Sequence, residues 1–333
     1  MITLASAHSL VHSLARSLVH NMTIVFLDAR TIGPEINLSQ LDQLGTFVTY
    51  PETTLEQTAE RLRDADVVIT NKARITRAVL DACPNLRLVC VAATGTNNID
   101  MAAAQDRGIP VKNVAGYSTH SVAQVTFTLL LALLNAPQYY DHYVKSGDYS
   151  RETIFTHLGR PFWELSGKRF GIIGLGAIGR QVAQIAVAFG CDVVYFSASG
   201  QTYSDVPYAS VSLDDLLGTS DVISVHAPLT EKTANLITYK ELCRMKPSAL
   251  LLGLSRGGMI NEADLARALD EGKLAGAGMD VFGQEPPPAD HPYLNMVYPN
   301  RLVLTPHIAW SSVEARQRLM DAVAKNIQEF ANV

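Results

Sequence analysis

The hexapeptide Gly174-Leu175-Gly176-Ala177-Ile178-Gly179 constrains this chain more than any other feature. It follows the apolar run Phe170-Gly171-Ile172-Ile173, which reads as a buried strand, and it opens onto Arg180–Phe189, whose apolar spacing reads as a helix. A further strand, Asp192–Phe196, closes the unit. Three glycines alone are a weak signal, but strand–GxGxxG–helix is the fingerprint of a dinucleotide-binding βαβ unit. Gly174 permits the tight turn, Gly176 lets the backbone approach a pyrophosphate, and Gly179 lets the helix pack closely on the sheet. The helix N-terminus then presents N–H groups and a partial positive charge to the phosphates. The bland alternative is a glycine-rich turn with no ligand, and the closing strand argues against it. An acidic residue that holds a ribose 2′-hydroxyl belongs at the end of the second strand, about 20 residues on. Ser197 stands there instead, and a serine does not repel a 2′-phosphate. The next Arg or Lys along the chain is Lys232, so the sequence permits NAD, NADP or both, and leans to NAD.

A chain of 333 residues exceeds one typical domain, and two is the natural expectation. Hydrophobic residues make up 47% of it, enough to fill buried parallel strands. A net charge of −5 offers no general basic field for nucleic acid. The most apolar stretch, Val125–Leu134, is too short to span a bilayer. Cys83, Cys90, Cys191 and Cys243 show neither CxxC nor zinc spacing, and their apolar surroundings read as reduced core positions in a cytoplasmic protein. No motif suggests a metal. Met1–Asn21 carries no acid, one Arg and three His; it reads either as a weak targeting-like helix or as a non-essential extension. The second reading is favoured, because Met22 directly precedes the first strand.

Strand-like and helix-like runs alternate almost throughout, which predicts an α/β fold of doubly wound parallel sheets. Before the fingerprint, strands are expected at Thr23–Leu27, Thr46–Thr49, Val67–Thr70, Leu88–Val91 and Val111–Asn113, with helical patterns such as Thr54–Arg63 and Thr76–Ala82 between them. A helical stretch over Ser118–Lys145 then connects to the second unit. Beyond the fingerprint, strands are expected at Val193–Phe196, Val222–Val225, Ala249–Leu254, Gly276–Val281 and Leu302–Leu304. Gly283–Pro292 reads as an irregular loop, and Ser311–Phe330 as one amphipathic helix that folds back on the N-terminal domain.

Parallel α/β sheets bind their ligands at the carboxyl ends of strands. Three features fall at such ends: Ser255-Arg256-Gly257, Asp280–Pro286 and Thr305-Pro306-His307. Reduction of a 2-keto acid by hydride needs a cation to hold the carboxylate, which the planar fork of an Arg supplies. It needs a proton donor that works near neutral pH, which suits His, and a carboxylate beside that His to favour its charged form. Arg256, His307 and Glu285 are the right types in plausible positions, although each alone is as readily a surface or structural residue. His226, at a strand end, is either a cofactor contact or structural, and Lys72 either adds charge over an acidic substrate or is a solvated strand-end lysine.

Taken in order, the motifs resemble those of the D-isomer-specific 2-hydroxyacid dehydrogenase family, from Thr23 to the C-terminus. The resemblance rests on Ala93-Thr94-Gly95-Thr96-Asn97-Asn98-Ile99-Asp100, on Gly174–Gly179, and on the three strand-end motifs. It implies that Arg256 binds the substrate carboxylate, that Glu285 partners the histidine, and that His307 is the acid/base. It further implies that backbone groups of Thr94 and Gly95 cradle the carboxylate and that Tyr117 approaches the substrate. For the cofactor it implicates Gly174, Gly176, Gly179, Ala177 and Ile178 at the pyrophosphate and Ser197 at the ribose. Ala227, Pro228 and Thr233 would then line the adenosine side, with Leu254 and Asp280 near the nicotinamide. The fold it implies is a flavodoxin-like substrate domain, residues 22–116 and 305–333, around an inserted Rossmann domain, residues 117–304. Members usually form homodimers through the cofactor domain, and the helix around Val125–Leu134 is the candidate surface. The stretches Ala92–Asn98 and Gly116–Thr119 look most like members that act on hydroxypyruvate or glyoxylate. Phosphoglycerate dehydrogenase, which would want further cations, D-lactate dehydrogenase and a dinucleotide-sensing corepressor remain alternatives. Formate dehydrogenase is disfavoured, because its pattern has Gln where Glu285 stands.

Overall fold

The computed structural model describes residues 22–332, so the extension expected at Met1–Asn21 lies outside the described residues. The chain divides into two compact units: one takes the described residues up to Tyr117 and those from Ser311 onward, the other Ser118–Trp310.

The first unit is built on strands β1 (Thr23–Phe26), β2 (Thr46–Thr49), β3 (Val67–Thr70), β4 (Leu88–Val91) and β5 (Val111–Lys112), in the order β2-β1-β3-β4-β5. All its pairings are parallel. Every residue of β3 and β4 is buried, as expected of unbroken apolar runs covered by helices on both faces. The edge strand β2 carries threonines at both ends and is exposed there. Between the strands, Thr76 and Asp100 cap helices by accepting from the backbone N–H groups of Val79 and Ala103. The C-terminal helix Val313–Ala331, capped by Ser312, buries Leu319, Met320, Val323 and Ile327, and packs against β4 and the short helix Ser39–Asp42.

Strand order reverses between β1 and β3, and a buried carboxylate sits there. Asp28, just past β1, accepts from the backbone N–H groups of Asn71 (2.9 Å), Lys72 (2.6 Å) and Ala73 (2.8 Å). These donors turn the chain after β3, and no regular structure would otherwise pair them. Lys72 therefore sits on a turn whose backbone is fixed by its neighbour across the sheet.

The second unit is a parallel sheet of seven strands: β6 (Arg169–Ile173), β7 (Asp192–Phe196), β8 (Ala209–Ser210), β9 (Val222–Val225), β10 (Leu250–Gly253), β11 (Gly276–Met279) and β12 (Leu302–Leu304). Their order is β12-β11-β10-β9-β6-β7-β8. Alternate residues feed opposite layers: Leu250 and Leu252 pack with Phe127, Leu129 and Phe170, whereas Leu251 packs with Ile223, Leu265 and Leu269. Strand β11, Gly-Ala-Gly-Met, is a poor strand former by composition. Its glycines have a packing reason. A Cβ on Gly276 would lie 3.1 Å from Leu133, and one on Gly278 2.9 Å from Leu129, both on the helix Thr119–Asn135. A side chain at either glycine would push against that helix.

Four expectations need correction. The helical stretch Ser118–Lys145 is two helices, Thr119–Asn135 and Pro137–Lys145, bent by 56°. Pro137 offers no N–H to continue the first helix, which ends at Ala136 in a left-handed cap with φ 45°. Strand β8 was not anticipated, since two exposed residues carry no apolar run. Cys243, expected in the core with Cys83, Cys90 and Cys191, is exposed. Strands β10 and β11 end earlier than expected, at Gly253 and Met279, and release Leu254 and Asp280 into loops. Among the described residues no single helix is long and apolar enough to cross a membrane, and no cluster of three or more metal-ligating side chains occurs.

Replacing Asp28 with Ala removes the carboxylate that accepts from Asn71, Lys72 and Ala73, two of them buried donors. The expected outcome is a loss of about 2–4 kcal/mol of unfolding free energy in urea titration. A loss below about 0.5 kcal/mol would mean that water replaces the carboxylate.

Candidate active site

The order of the second sheet reverses between β6 and β9, where ligands of open α/β sheets bind. Gly174 ends β6 with φ 94°, and a Cβ there would lie 2.5 Å from the backbone nitrogen of Ala227, the buried residue just past β9. A Cβ on Gly179 would enter the carbonyl of Gly174. Gly176 differs from both: it is the N-cap of the helix Ala177–Ala188, and a Cβ there would meet nothing within 4 Å. No side chain caps that helix, and no acid lies in its first turn. Open space before a positive helix end, at Ala177 and Ile178, fits a pyrophosphate. The residues expected to line the rest of a dinucleotide lie at the neighbouring strand ends. Thr233 is buried and ties its turn together, donating to the Pro228 carbonyl (2.7 Å) and accepting from the Thr230 N–H (2.7 Å). Leu254 is buried at the end of β10. Ser197 is half-buried after β7, its hydroxyl 3.1 Å from that of Ser199.

One further residue of this region was not legible in the sequence. Arg180 reaches from the helix Ala177–Ala188 to the loop after β7, where it stacks on Tyr203 and pairs with both oxygens of Asp205 (2.8 and 3.1 Å). The sequence places it before the ribose position, so counting forward from Ser197 misses it. His226 is hydrogen-bonded to the Ser224 hydroxyl (2.7 Å), and burial pushes its imidazole down to about 3, so it is neutral near pH 7.

The three strand-end motifs follow β10, β11 and β12, which are adjacent in the sheet. His307 Nδ1 lies 2.6 Å from Glu285 Oε2, and both side chains are partly open to solvent. The other oxygen of Glu285 accepts from the Phe282 N–H (3.0 Å), which fixes the carboxylate. His307 has φ 53°, in the left-handed region, and its N–H donates to the Asp280 carbonyl (2.8 Å). The Asp280 side chain closes the turn from beneath: it accepts from the Thr305 hydroxyl (2.6 Å) and from the N–H groups of Ile308 and Ala309 (2.9 Å each). Burial pushes this carboxyl above its ordinary value, while those donors and the nearby His307 pull it back down. Arg256 is exposed, and one of its terminal nitrogens donates to the Ser255 carbonyl (2.7 Å). Its turn touches the glutamate loop, because a Cβ on Gly257 would fall within the Phe282 carbonyl group.

The second unit thus joins Glu285 to His307 directly, and Arg256 to the same loop through Gly257. Thr94, Gly95 and Tyr117 belong to the first unit. There the Thr94 hydroxyl donates to the Val114 carbonyl (3.1 Å), the Thr94 carbonyl accepts from Asn113 (2.6 Å), and the Tyr117 carbonyl accepts from Arg318 (3.1 Å).

Comparison with known proteins agrees with this arrangement. Residues 127–309 match the family described as D-isomer specific 2-hydroxyacid dehydrogenase, NAD binding domain. A hydroxypyruvate reductase from Blautia hydrogenotrophica is 38% identical over 93% of this chain and 97% of its own length. A glycerate dehydrogenase from Methylorubrum extorquens is 37% identical over 92% and 95%. The crystal structure of a D-lactate dehydrogenase from Aquifex aeolicus, complexed with NAD and lactic acid, superposes with a TM-score of 0.79 at 26% identity, over 92% of this chain and 95% of that one.

The glycines separate folding from ligand binding. Gly174→Ala forces a side chain to φ 94° and into backbone, and is expected to cost about 2–4 kcal/mol in chemical denaturation. Gly176→Ala adds a methyl to open space. It is expected to leave the melting temperature of the free protein unchanged while weakening dinucleotide binding, followed by fluorescence titration, about tenfold or more.

Proposed function

The chain belongs to the D-isomer-specific 2-hydroxyacid dehydrogenases, and from that membership we propose that it reduces hydroxypyruvate or glyoxylate, with His307 as the proton donor. The observation that carries this reading is the 2.6 Å pair between His307 Nδ1 and Glu285 Oε2. With Nδ1 engaged, Nε2 is the ring nitrogen left to face a substrate. Bound dinucleotide supplies the hydride. As the carbonyl oxygen gains charge, His307 gives it the proton from Nε2, and in the oxidative direction takes it back. Glu285 fixes the ring's orientation through Nδ1. Arg256 binds the substrate carboxylate with its planar fork, an arrangement a lysine point charge would not reproduce. Thr94, Gly95 and Tyr117 are assigned to the substrate on the resemblance alone.

Relatives named hydroxypyruvate reductase and glycerate dehydrogenase support the substrate class, as does the stretch Ala92–Asn98. We assign the unit that carries the fingerprint, expected at residues 117–304 and compact over Ser118–Trp310, to the dinucleotide, and the unit formed by the described residues up to Tyr117 and those from Ser311 onward to the substrate. Gly174, Gly176, Ala177, Ile178 and Gly179 are assigned to the pyrophosphate, Ser197, Ala227, Pro228 and Thr233 to the adenosine side, and Leu254 and Asp280 to the nicotinamide side. NAD is favoured over NADP: Ser197 leaves the choice open, but the guanidinium of Arg180 is already engaged by Asp205. We further propose a cytoplasmic homodimer that uses the apolar helix around Val125–Leu134.

The test is optical: oxidation of NADH and of NADPH with hydroxypyruvate, glyoxylate, pyruvate and 3-phosphohydroxypyruvate. Turnover with the first two, fastest with NADH, is expected. His307→Ala should lower kcat by about 10²–10⁴-fold. Arg256→Lys should act mainly on KM for the keto acid. Reduction consumes the proton on His307, so its rate should fall as pH rises, and oxidation should fall as pH drops. Tight dinucleotide binding without turnover on any of the four acids would overturn the enzymatic reading for these substrates and favour a sensor.

A further inference from the structure

A second histidine–carboxylate pair lies behind the first. Glu262 opens the helix Glu262–Asp270, which is anchored by its N-cap: the Asn261 side chain accepts from the Asp264 N–H (3.1 Å). One oxygen of Glu262 accepts from the Gly283 N–H at 2.6 Å; the other lies 2.9 Å from Nε2 of His291. His291 is only 4% exposed. Its Nδ1 accepts from the Tyr293 N–H (3.3 Å), so Nε2 carries the proton and donates to Glu262. The same imidazole stands edge-on to the rings of Phe282 (5.6 Å) and Tyr293 (4.8 Å).

Phe282 and Gly283 are consecutive, and their N–H groups point at two different carboxylates. That of Phe282 goes to Glu285 (3.0 Å), that of Gly283 to Glu262. The two N–H groups sit on successive peptide units joined at the Phe282 Cα, so their relative direction is set by φ and ψ of that one residue. The Phe282 ring packs against His291 and Tyr293, and holding the Gly283 N–H fixes the other side of the same Cα. Together they restrict where the Phe282 N–H points, and through it the Glu285 carboxylate. We propose that Glu262 and His291 are positioning residues that act on Glu285 through the backbone of Phe282–Gly283. Neither touches His307 in this arrangement. The titratable groups that face His307 are Glu285 and Asp280, and those that face Glu262 are His291 and Tyr293. The proposal rests on the reading of Glu285–His307 as the catalytic pair.

The experiment compares full-length Glu262→Ala, Glu262→Asp, His291→Gln and Glu285→Gln with the parent in steady-state reduction across pH, with dinucleotide binding measured separately. Glu285→Gln is the reference: it removes the charge beside His307 and should shift the fall-off of kcat with rising pH to lower pH. Glu262→Ala is expected to shift that fall-off the same way and to lower kcat about tenfold, with dinucleotide affinity held within about twofold. Glu262→Asp keeps the charge but is one methylene too short to reach Gly283. It should shift the fall-off likewise, and decides the matter if the alanine variant does not fold. His291→Gln retains a donor for Glu262 and should preserve both rate and pH dependence. If Glu285→Gln shifts the fall-off and neither Glu262 variant does, the positioning role is wrong and Glu262 is merely structural. If Glu285→Gln itself leaves the fall-off in place, the catalytic pair is misassigned, and the positioning role is overturned with it.

Discussion

The carboxylate of Asp280 is the interaction on which the chemistry of the second unit depends. It is fully buried and gathers the Thr305 hydroxyl and the N–H groups of Ile308 and Ala309. Together these bonds wrap the chain around His307, which takes a left-handed backbone that costs a non-glycine residue about 1–2 kcal/mol. The three hydrogen bonds that the Asp280 carboxyl accepts hold the turn in that conformation. The imidazole is presented by strain that its surroundings hold in place, and the main chain of Asp280 contributes by accepting from the His307 N–H. Glu285 then has only to meet a ring whose position is already set.

The first unit uses the same device in another setting. Asp28 follows β1 and collects the N–H groups of three consecutive residues past β3. In both sheets a strand ends, an aspartate follows within two residues, and its carboxylate satisfies the backbone of the loop from a neighbouring strand. Parallel sheets leave such loops at their carboxyl edge with donors that no ladder can satisfy. A buried acid beside the strand end solves that problem and fixes the loop at the same time, which is why ligand-bearing loops can be rigid without being helical.

Much of this was legible from residue patterns. Unbroken apolar runs such as Val67–Thr70 and Leu250–Gly253 have to be buried on both faces, so the central strands and their parallel pairing followed from them. The glycine fingerprint followed from its strand and helix context, and Arg256, Glu285 and His307 followed from their order after three strands. What escaped was set by tertiary contact. Strand β8 exists because an edge was available, not because Ala209-Ser210 favours strand. The 56° break at Pro137 was signalled by the proline, but it was masked by apolar periodicity on both sides. Asp280 shows how direction is lost in a sequence: its place after β11 was legible, yet nothing in Met279-Asp280-Val281 says that the carboxylate turns inward beneath His307. The partnership of Glu262 with His291 spans 29 residues and was invisible for the same reason.

Gly257 carries a consequence for how such a site can change. The arginine turn and the glutamate loop meet backbone to backbone, with no side chain between them to trim or enlarge. Most contacts in a protein drift by exchange of a methyl here for a methylene there, and this one offers no such increments. The turn that carries Arg256 and the loop that carries Glu285 are thereby cast at a fixed spacing. A descendant that accepts a larger or smaller acid would have to find its room in side chains outside this contact, leaving the spacing of the two loops as the constant of the lineage.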